Sequence, residues 1–450
     1  MDPGAPPRPA VSDRDGAVCV VGAGAAGLSA DKTLREHGFE VDCYERETDV
    51  AGLWNWRHDR SPVTAATHLV SSRPLTEFPD FPMPDHWPDY PHHRQVREYL
   101  QRYATHFDLR RDVWCGTEVA EVRPTPDLRW DVTTTSAGSD AHRRVSRYAA
   151  VVVANGHHAR PLLPRYPGQE DFVGRVLHAG ACKDPAQLRG LRVLVVGAGN
   201  TAADLVVSLA GQAAACWWST RRGYWIFPKY LGGRPLDQAF ARTRALPLPH
   251  RWRQAVAAAV LRAAVGDLTR WGLPRPDHPP LATHPLVNSL LPHHLGHGLV
   301  TPVPDVARFA AREVVLADGR AVDPDVVVLA TGYRPCFDFL PAAVLGDARR
   351  PRLGLHAFAP DHPTLAVVGL PQAAAGALPL FHWQSMVVAR WLRLWRGDPA
   401  RAAGLRPLLF PATEAVAVPT VDSERHWAEV DPHRYLAALQ RLLDRMEAAP

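Results

Sequence analysis

Cysteine is scarce in this chain: six among 450 residues, at Cys19, Cys43, Cys115, Cys182, Cys216 and Cys336, with no C-x-x-C pair. That spacing excludes a disulfide framework and a cysteine metal cage, and a reducing cytoplasm is expected. No stretch approaches the length of apolar residues that crosses a bilayer, and the opening, rich in Pro, Asp and Arg, has no apolar core of an export signal. No membrane association is therefore expected. Long runs of one charge are also missing, and 51 Lys plus Arg stand against 46 Asp plus Glu. Nucleic acid is excluded as a partner, while an anionic cofactor is accommodated.

What is present is an ordinary globular composition, 46% hydrophobic and 22% charged, with length for two or three domains. Residues 1–15 combine Pro and charge without apolar periodicity and read as a disordered lead-in. AVCVV (17–21) then reads as a buried strand, GAGAAG as a tight turn, LSADKTLREHG as a helix and FEVDCYE (39–45) as a second strand. The grammar returns at 192–222, so that VVGAG occurs at 20–24 and again at 195–199. Each copy is a βαβ unit.

Between the copies lie a loop of Pro and aromatics (78–93), a helix over 94–107 and a buried strand over 149–155. After the second copy, 231–300 reads as irregular apart from an Ala-rich helix near 252–265. Buried strands follow at 325–333 and 364–370, and a terminal amphipathic helix at 433–447. The fold class expected is α/β with two Rossmann-like dinucleotide-binding domains, one inserted into the other.

The residues after each turn differ in chemistry. In the first copy Gly22 permits the sharp turn, Gly24 lets backbone approach a pyrophosphate, and Gly27 lets helix pack on strand. Glu45, closing the second strand, stands where a carboxylate accepts ribose hydroxyls and repels a 2′-phosphate, which favours FAD or NAD. In the second copy Gly197 and Gly199 keep the first two positions and Ala202 replaces the third glycine. Its strand ends in Ser219-Thr220-Arg221-Arg222, and guanidinium groups beside hydroxyls suit the 2′-phosphate of NADPH. The bland alternative is two solvated arginines on a turn.

Between the units stands FVGRVLH, with Phe172, Gly174 and His178 in the spacing F-x-G-x-x-x-H. This resembles the fingerprint of flavin-containing monooxygenases and the related Baeyer–Villiger enzymes. AGLWNW (51–56), GNTAAD (199–204), RRGYWIFPK (221–229) and LATGY (329–333) resemble further segments of that family, and the likeness runs from about Ala17 to Trp391. It implies an FAD domain over 16–180 and 326–450, with an NADPH domain over 181–325. It also implies FAD contacts from Ala25, Leu53, Trp54, Ser71, Val119 and Gln384, and NADPH contacts from Asn200, Thr201, Asp204 and Ser219. Phe172, Gly174, His178, Thr331 and Gly332 become a structural link between domains.

The chain departs from the family pattern at three places. Cys182 stands where an aromatic residue usually ends the fingerprint, Ala51 replaces a glycine, and Ser71-Ser72 replaces a pair ending in Asn. Ser72 is thus the residue expected to hydrogen-bond the reacting oxygen. The implied chemistry is reduction of FAD by NADPH, addition of dioxygen to the flavin, and transfer of one oxygen from the resulting hydroperoxide to a soft nitrogen or sulfur atom of a small molecule.

Alternatives are Baeyer–Villiger oxygenation of a ketone, an NADPH-oxidising flavoprotein without productive oxygenation, and a disulfide reductase, which the missing C-x-x-C opposes. His293, His294 and His297 have ligand-like spacing, but their Gly- and Pro-rich surroundings read as a linker, so no metal is expected. A homodimer is compatible with a sequence that carries no signal of oligomeric state.

Overall fold

A computed structural model describes residues 11–139, 142–244, 249–421, 423 and 426–448. Strand β1 (Val11–Val21) continues into α1 (Ala25–Glu36) and β2 (Val41–Glu45), and β1 and β2 pair in parallel. A short α2 (Arg73–Thr76) and α3 (His93–His106) follow. Strands β3 (Val113–Cys115), β4 (Thr117–Pro124), β5 (Trp130–Ser136) and β6 (Arg144–Val153) then complete the first sheet, in the order β3-β2-β1-β6-β5-β4. The strand Leu365–Val367 joins β6 in parallel along its last residues.

The lead-in expected over 1–15 is corrected from residue 11 onward, where the chain is already in β1: Val11, Ser12, Asp13 and Arg14 pair with Val145, Ser146, Arg147 and Tyr148. The charges that suggested disorder are neutralised in place. Arg14 Nε donates to Asp42 Oδ2 at 2.8 Å, and the Tyr148 hydroxyl donates to the same oxygen at 2.8 Å. Residues 1–10 lie outside the described residues.

The second sheet is wholly parallel. From one edge it runs Thr301–Val303, β10 (Ala215–Ser219), β9 (Arg192–Val196), Val326–Leu329 and β8 (Arg175–His178). Two of these strands, β8 and Val326–Leu329, fall outside the expected 181–325, so the sheet begins earlier and ends later than that span. Buried apolar strands look alike in sequence, and only their pairing assigns them to a sheet. The two chain crossings are themselves paired: β7 (Arg160–Pro161) runs antiparallel to Tyr333–Arg334.

Between β9 and β10 lies α4 (Asn200–Leu209). The region expected to be irregular holds α5 (Leu236–Arg244) as well as α6 (His250–Val265), the latter near its expected span. Around the first sheet, α1, α3, the helix Leu378–Gly397 and the terminal helix Pro432–Glu447 share one apolar core. Apolar clusters on both faces of the second sheet form its core.

Candidate functional site

Both glycine turns sit at the carboxyl ends of parallel strands, beside the point where strand order reverses, which is where open α/β sheets form ligand crevices. In the first, Gly22 takes φ 100°, and a Cβ there would lie 2.9 Å from the Ala154 carbonyl oxygen. A Cβ on Gly27 would lie 1.7 Å from the Gly22 carbonyl oxygen, so only glycine lets α1 seat on the turn. Gly24 caps α1 without a side-chain hydrogen bond, and the first turn, which begins at Ala25, holds no acidic residue. Its N–H groups and the positive end of the helix dipole are thus left for an anion.

The segment after β2 folds across this turn. Ala51 N–H donates to the Ala23 carbonyl at 3.0 Å, and a Cβ on Gly52 would lie 2.9 Å from Gly24 Cα. Ala51 itself holds φ 87°, a left-handed conformation in which the family's glycine is relaxed and alanine is strained. Leu53 and Trp54 complete a short turn of 3-10 helix, and the Ser61 hydroxyl donates to the Leu53 carbonyl at 2.5 Å.

Glu45 is buried, and its two oxygens accept from Ala23 N–H at 2.8 Å and Glu47 N–H at 2.9 Å. Burial pushes this carboxyl up while the two amides pull it down. Each oxygen keeps a second lone pair for a ribose hydroxyl. Val119 is buried on β4 in the same apolar cluster as Val21, which ends β1.

The second turn repeats the geometry with different chemistry. Gly197 takes φ 122°, a Cβ there would lie 2.4 Å from the Ala330 carbonyl oxygen, and Trp218 Nε1 donates to the Gly197 carbonyl at 2.7 Å. Gly199 caps α4 with no side-chain hydrogen bond and no acid in the first turn, where Thr201 is half-buried. Ala202 is fully buried, so the third position tolerates a methyl group here. Beyond β10, Arg221 is exposed and Arg222 half-buried, with no ion pair to either among the described residues. Thr220, one of the two hydroxyl residues at the strand end, is 3% exposed, and its hydroxyl lacks a hydrogen-bond partner. A buried hydroxyl without a partner beside two guanidinium groups fits a phosphate.

The fingerprint acts as a joint. A Cβ on Gly174 would lie 2.5 Å from the Phe172 ring, which packs edge-on against Phe309. His178 ends β8. Its Nδ1 accepts from Gly180 N–H at 3.2 Å, which leaves Nε2 to donate to the Gly332 carbonyl at 3.1 Å. Burial lowers its pKa, in keeping with a neutral ring. The Thr331 hydroxyl donates to the Leu162 carbonyl. His178, Thr331 and Gly332 thus make hydrogen bonds at the crossing strands, while Phe172 and Gly174 pack beside the second sheet.

The side chains of several expected contact residues are engaged by the protein itself. Ser72 is fully buried, its N–H donates to Asp237 Oδ2 at 2.6 Å, and its hydroxyl accepts from Gln238 Nε2 at 3.2 Å. It docks α5 of the inserted unit onto α2, with neighbouring Ser71 half-buried. At Gln384, where a backbone or amide contact with the flavin is expected, the amide is bound to protein: Oε1 accepts from Gly369 N–H at 2.9 Å, and Nε2 donates to the His356 carbonyl and the Tyr435 hydroxyl.

On α4, the Asn200 side chain clamps the Pro285 carbonyl and Val287 N–H. The Ser219 hydroxyl donates to the Pro304 carbonyl at 2.8 Å. Asp204 accepts from Asn288 Nδ2 at 3.1 Å, and burial pushes its carboxyl up to about 6 despite nearby Lys229. Lys229 in turn donates to the Leu69 carbonyl at 3.1 Å and lies over the Tyr90 ring, joining the two sheets' surroundings. His293 and His294 lie on the short helix Leu291–Gly296, and His297 Nδ1 approaches the His293 carbonyl at 3.1 Å.

A family model described as flavin-binding monooxygenase-like matches residues 15–436. Flavin-containing monooxygenase 5 of Mus musculus is 32% identical over 450 residues, covering 96% of this chain and 83% of that protein. Dimethylaniline monooxygenase [N-oxide-forming] 2 of Mus musculus is 33% identical over 403 residues, covering 84% of this chain and 73% of that one. Among solved structures, the flavin-containing monooxygenase from Stenotrophomonas maltophilia superposes with TM-score 0.65 at 22% identity, covering 85% of this chain and 99% of its own. An oxidised steroid monooxygenase bound to NADP superposes with TM-score 0.72 at 20% identity, covering 96% and 97%.

Proposed function

The chain belongs to the flavin-binding monooxygenase-like family, a flavin-dependent monooxygenase using FAD and NADP(H), and from that premise we propose separate seats for the two cofactors and a soft nitrogen or sulfur atom as oxygen acceptor. One observation carries the division. Two helix N-termini with no side-chain cap and no acidic residue follow parallel strands of two different sheets, one succeeded by a buried Glu45 and the other by Thr220, Arg221 and Arg222.

On this reading the α1 amides bind the FAD pyrophosphate, Glu45 orients the adenosine ribose, and Gly52, Leu53 and Trp54 cover the turn. The α4 amides bind the NADPH pyrophosphate, and Thr220 with the two arginines holds its 2′-phosphate. Bound FAD, reduced by NADPH, supplies the activation of dioxygen. The protein's part is to fix both nucleotides and keep water from the space between them. No side chain is assigned as general acid or base, and Ser72 has no role at the reacting atoms.

The amine substrate class is supported by the N-oxide-forming activity in the printed name of the mouse relative. Cytoplasmic placement is supported by six unpaired cysteines. Among the described residues no helix is long and apolar enough to cross a membrane.

Turnover under isotopically labelled dioxygen with a tertiary amine, a thioether and a cyclic ketone tests the proposal. One labelled oxygen atom in the amine oxide and sulfoxide, with NADPH consumed one for one, is expected. Label appearing in a lactone alone, or NADPH oxidation yielding only hydrogen peroxide, contradicts it.

A further inference from the structure

The two glycine turns belong to different sheets, and one contact outside every family-like segment fixes one against the other. The stretch holding His284 is fastened to the start of α4, because Asn200 Nδ2 donates to the Pro285 carbonyl at 3.1 Å and Asn200 Oδ1 accepts from Val287 N–H at 2.8 Å. The stretch holding Glu429 is fastened toward α1. Gln372 N–H donates to the Ala428 carbonyl at 2.9 Å, and Val430 N–H donates to the Gln372 carbonyl at 2.8 Å. A little upstream of Gln372, a Cβ on Gly369 would lie 2.7 Å from Ala26 Cβ, in the first turn of α1.

Between these anchors His284 Nδ1 donates to Glu429 Oε1 at 2.8 Å, with the Glu429 side chain only 6% exposed. Val421 N–H donates to the Ala282 carbonyl at 2.8 Å and makes a second rung. His157, just past β6 and hydrogen-bonded to the Gly369 backbone, faces both members of the pair.

We infer that His284 and Glu429 form a clasp that sets the separation of the two glycine turns and so positions the nicotinamide of bound NADPH against the flavin. The inference rests on the proposed division of the cofactors. NADPH held by its phosphates on α4 must reach across to the other sheet, and reacting atoms displaced by an ångström lose rate steeply. A largely buried carboxylate–imidazole pair adds little stability over an apolar contact, and its best-attested use is to fix register. His284 and Glu429 are thus positioning residues.

The test uses the FAD-loaded full chain titrated calorimetrically with NADP⁺ and with adenosine 2′,5′-bisphosphate, which carries the phosphates of that half without nicotinamide. In His284→Phe we expect NADP⁺ to bind about tenfold more weakly, the bisphosphate to stay within about twofold, and amide exchange to quicken across 282–287 and 417–421. His284→Asn, whose amide nitrogen stands where Nδ1 stood, is expected to restore all three. Glu429→Gln, close in volume, is expected to fall between wild type and His284→Phe, and decides the matter if His284→Phe loses FAD. Equal weakening of both ligands, or no change in either, overturns the clasp. Wild-type protein that binds neither ligand overturns the NADPH assignment itself, and the clasp with it.

Discussion

On the proposed reading Thr220, Arg221 and Arg222 discriminate between the two pyridine nucleotides: among the described residues neither arginine has an ion pair, the Thr220 hydroxyl lacks a hydrogen-bond partner, and no acid like Glu45 ends β10. Replacing both arginines with Ala removes charge-assisted hydrogen bonds worth roughly 1.5–3 kcal/mol each. Initial-rate kinetics should then show the Michaelis constant for NADPH rising roughly ten- to a hundredfold per bond lost, with that for NADH almost unchanged. Equal effects on both would remove the phosphate role. These residues were legible because the chemistry is local: a turn, a strand end and a charge sign lie within one βαβ unit. Ser72 was not, because its burial depends on Asp237 and Gln238 of α5, far along the chain. The surroundings of the Gln384 amide were hidden for the same reason, its partners Gly369, His356 and Tyr435 coming from three other segments.

Among the elements, α1 carries a liability beside its function. Asp31 is wholly buried on this helix, neither carboxylate oxygen has a hydrogen-bond partner, and burial followed by nearby Asp112 pushes its pKa up to about 8. The folded protein therefore holds this proton at pH values where the unfolded chain has released it. For a carboxyl raised in the folded state, stability is greatest below the unfolded value and falls as pH rises from about 4 toward about 8. Asp31→Asn should remove that slope and stabilise the protein at about pH 8 by roughly 2–4 kcal/mol, with little gain near pH 4. Thermal unfolding at both pH values checks it; parallel curves for variant and wild type would place the titration elsewhere. No periodicity could have revealed this, since a single Asp in an amphipathic helix reads as solvent-facing until the packing of α1 against β2 and the helix Leu378–Gly397 is known.

At the scale of the molecule, repetition of VVGAG was readable as two nucleotide folds, but their edges were not. β8 forms one edge of the second sheet and Val326–Leu329 lies between it and β9, although the intervening sequence gives them no mark that separates them from strands of the first. Likewise the charged residues Asp13 and Arg14 extend β1 only because β6 offers them a ladder and Asp42 a partner. The domains meet through side chains from distant segments, among them Lys229, Ser72 and the His284–Glu429 pair. On the proposed reading α1 and α4 hold different cofactors. A crystal structure of the protein loaded with FAD and NADP⁺ tests it most directly. The FAD pyrophosphate is expected on the α1 amides with Glu45 on its ribose, and the NADP⁺ 2′-phosphate within hydrogen-bond reach of Thr220 and Arg221 or Arg222. Either pyrophosphate on the other helix, or a 2′-phosphate turned away from these residues into solvent, would contradict it.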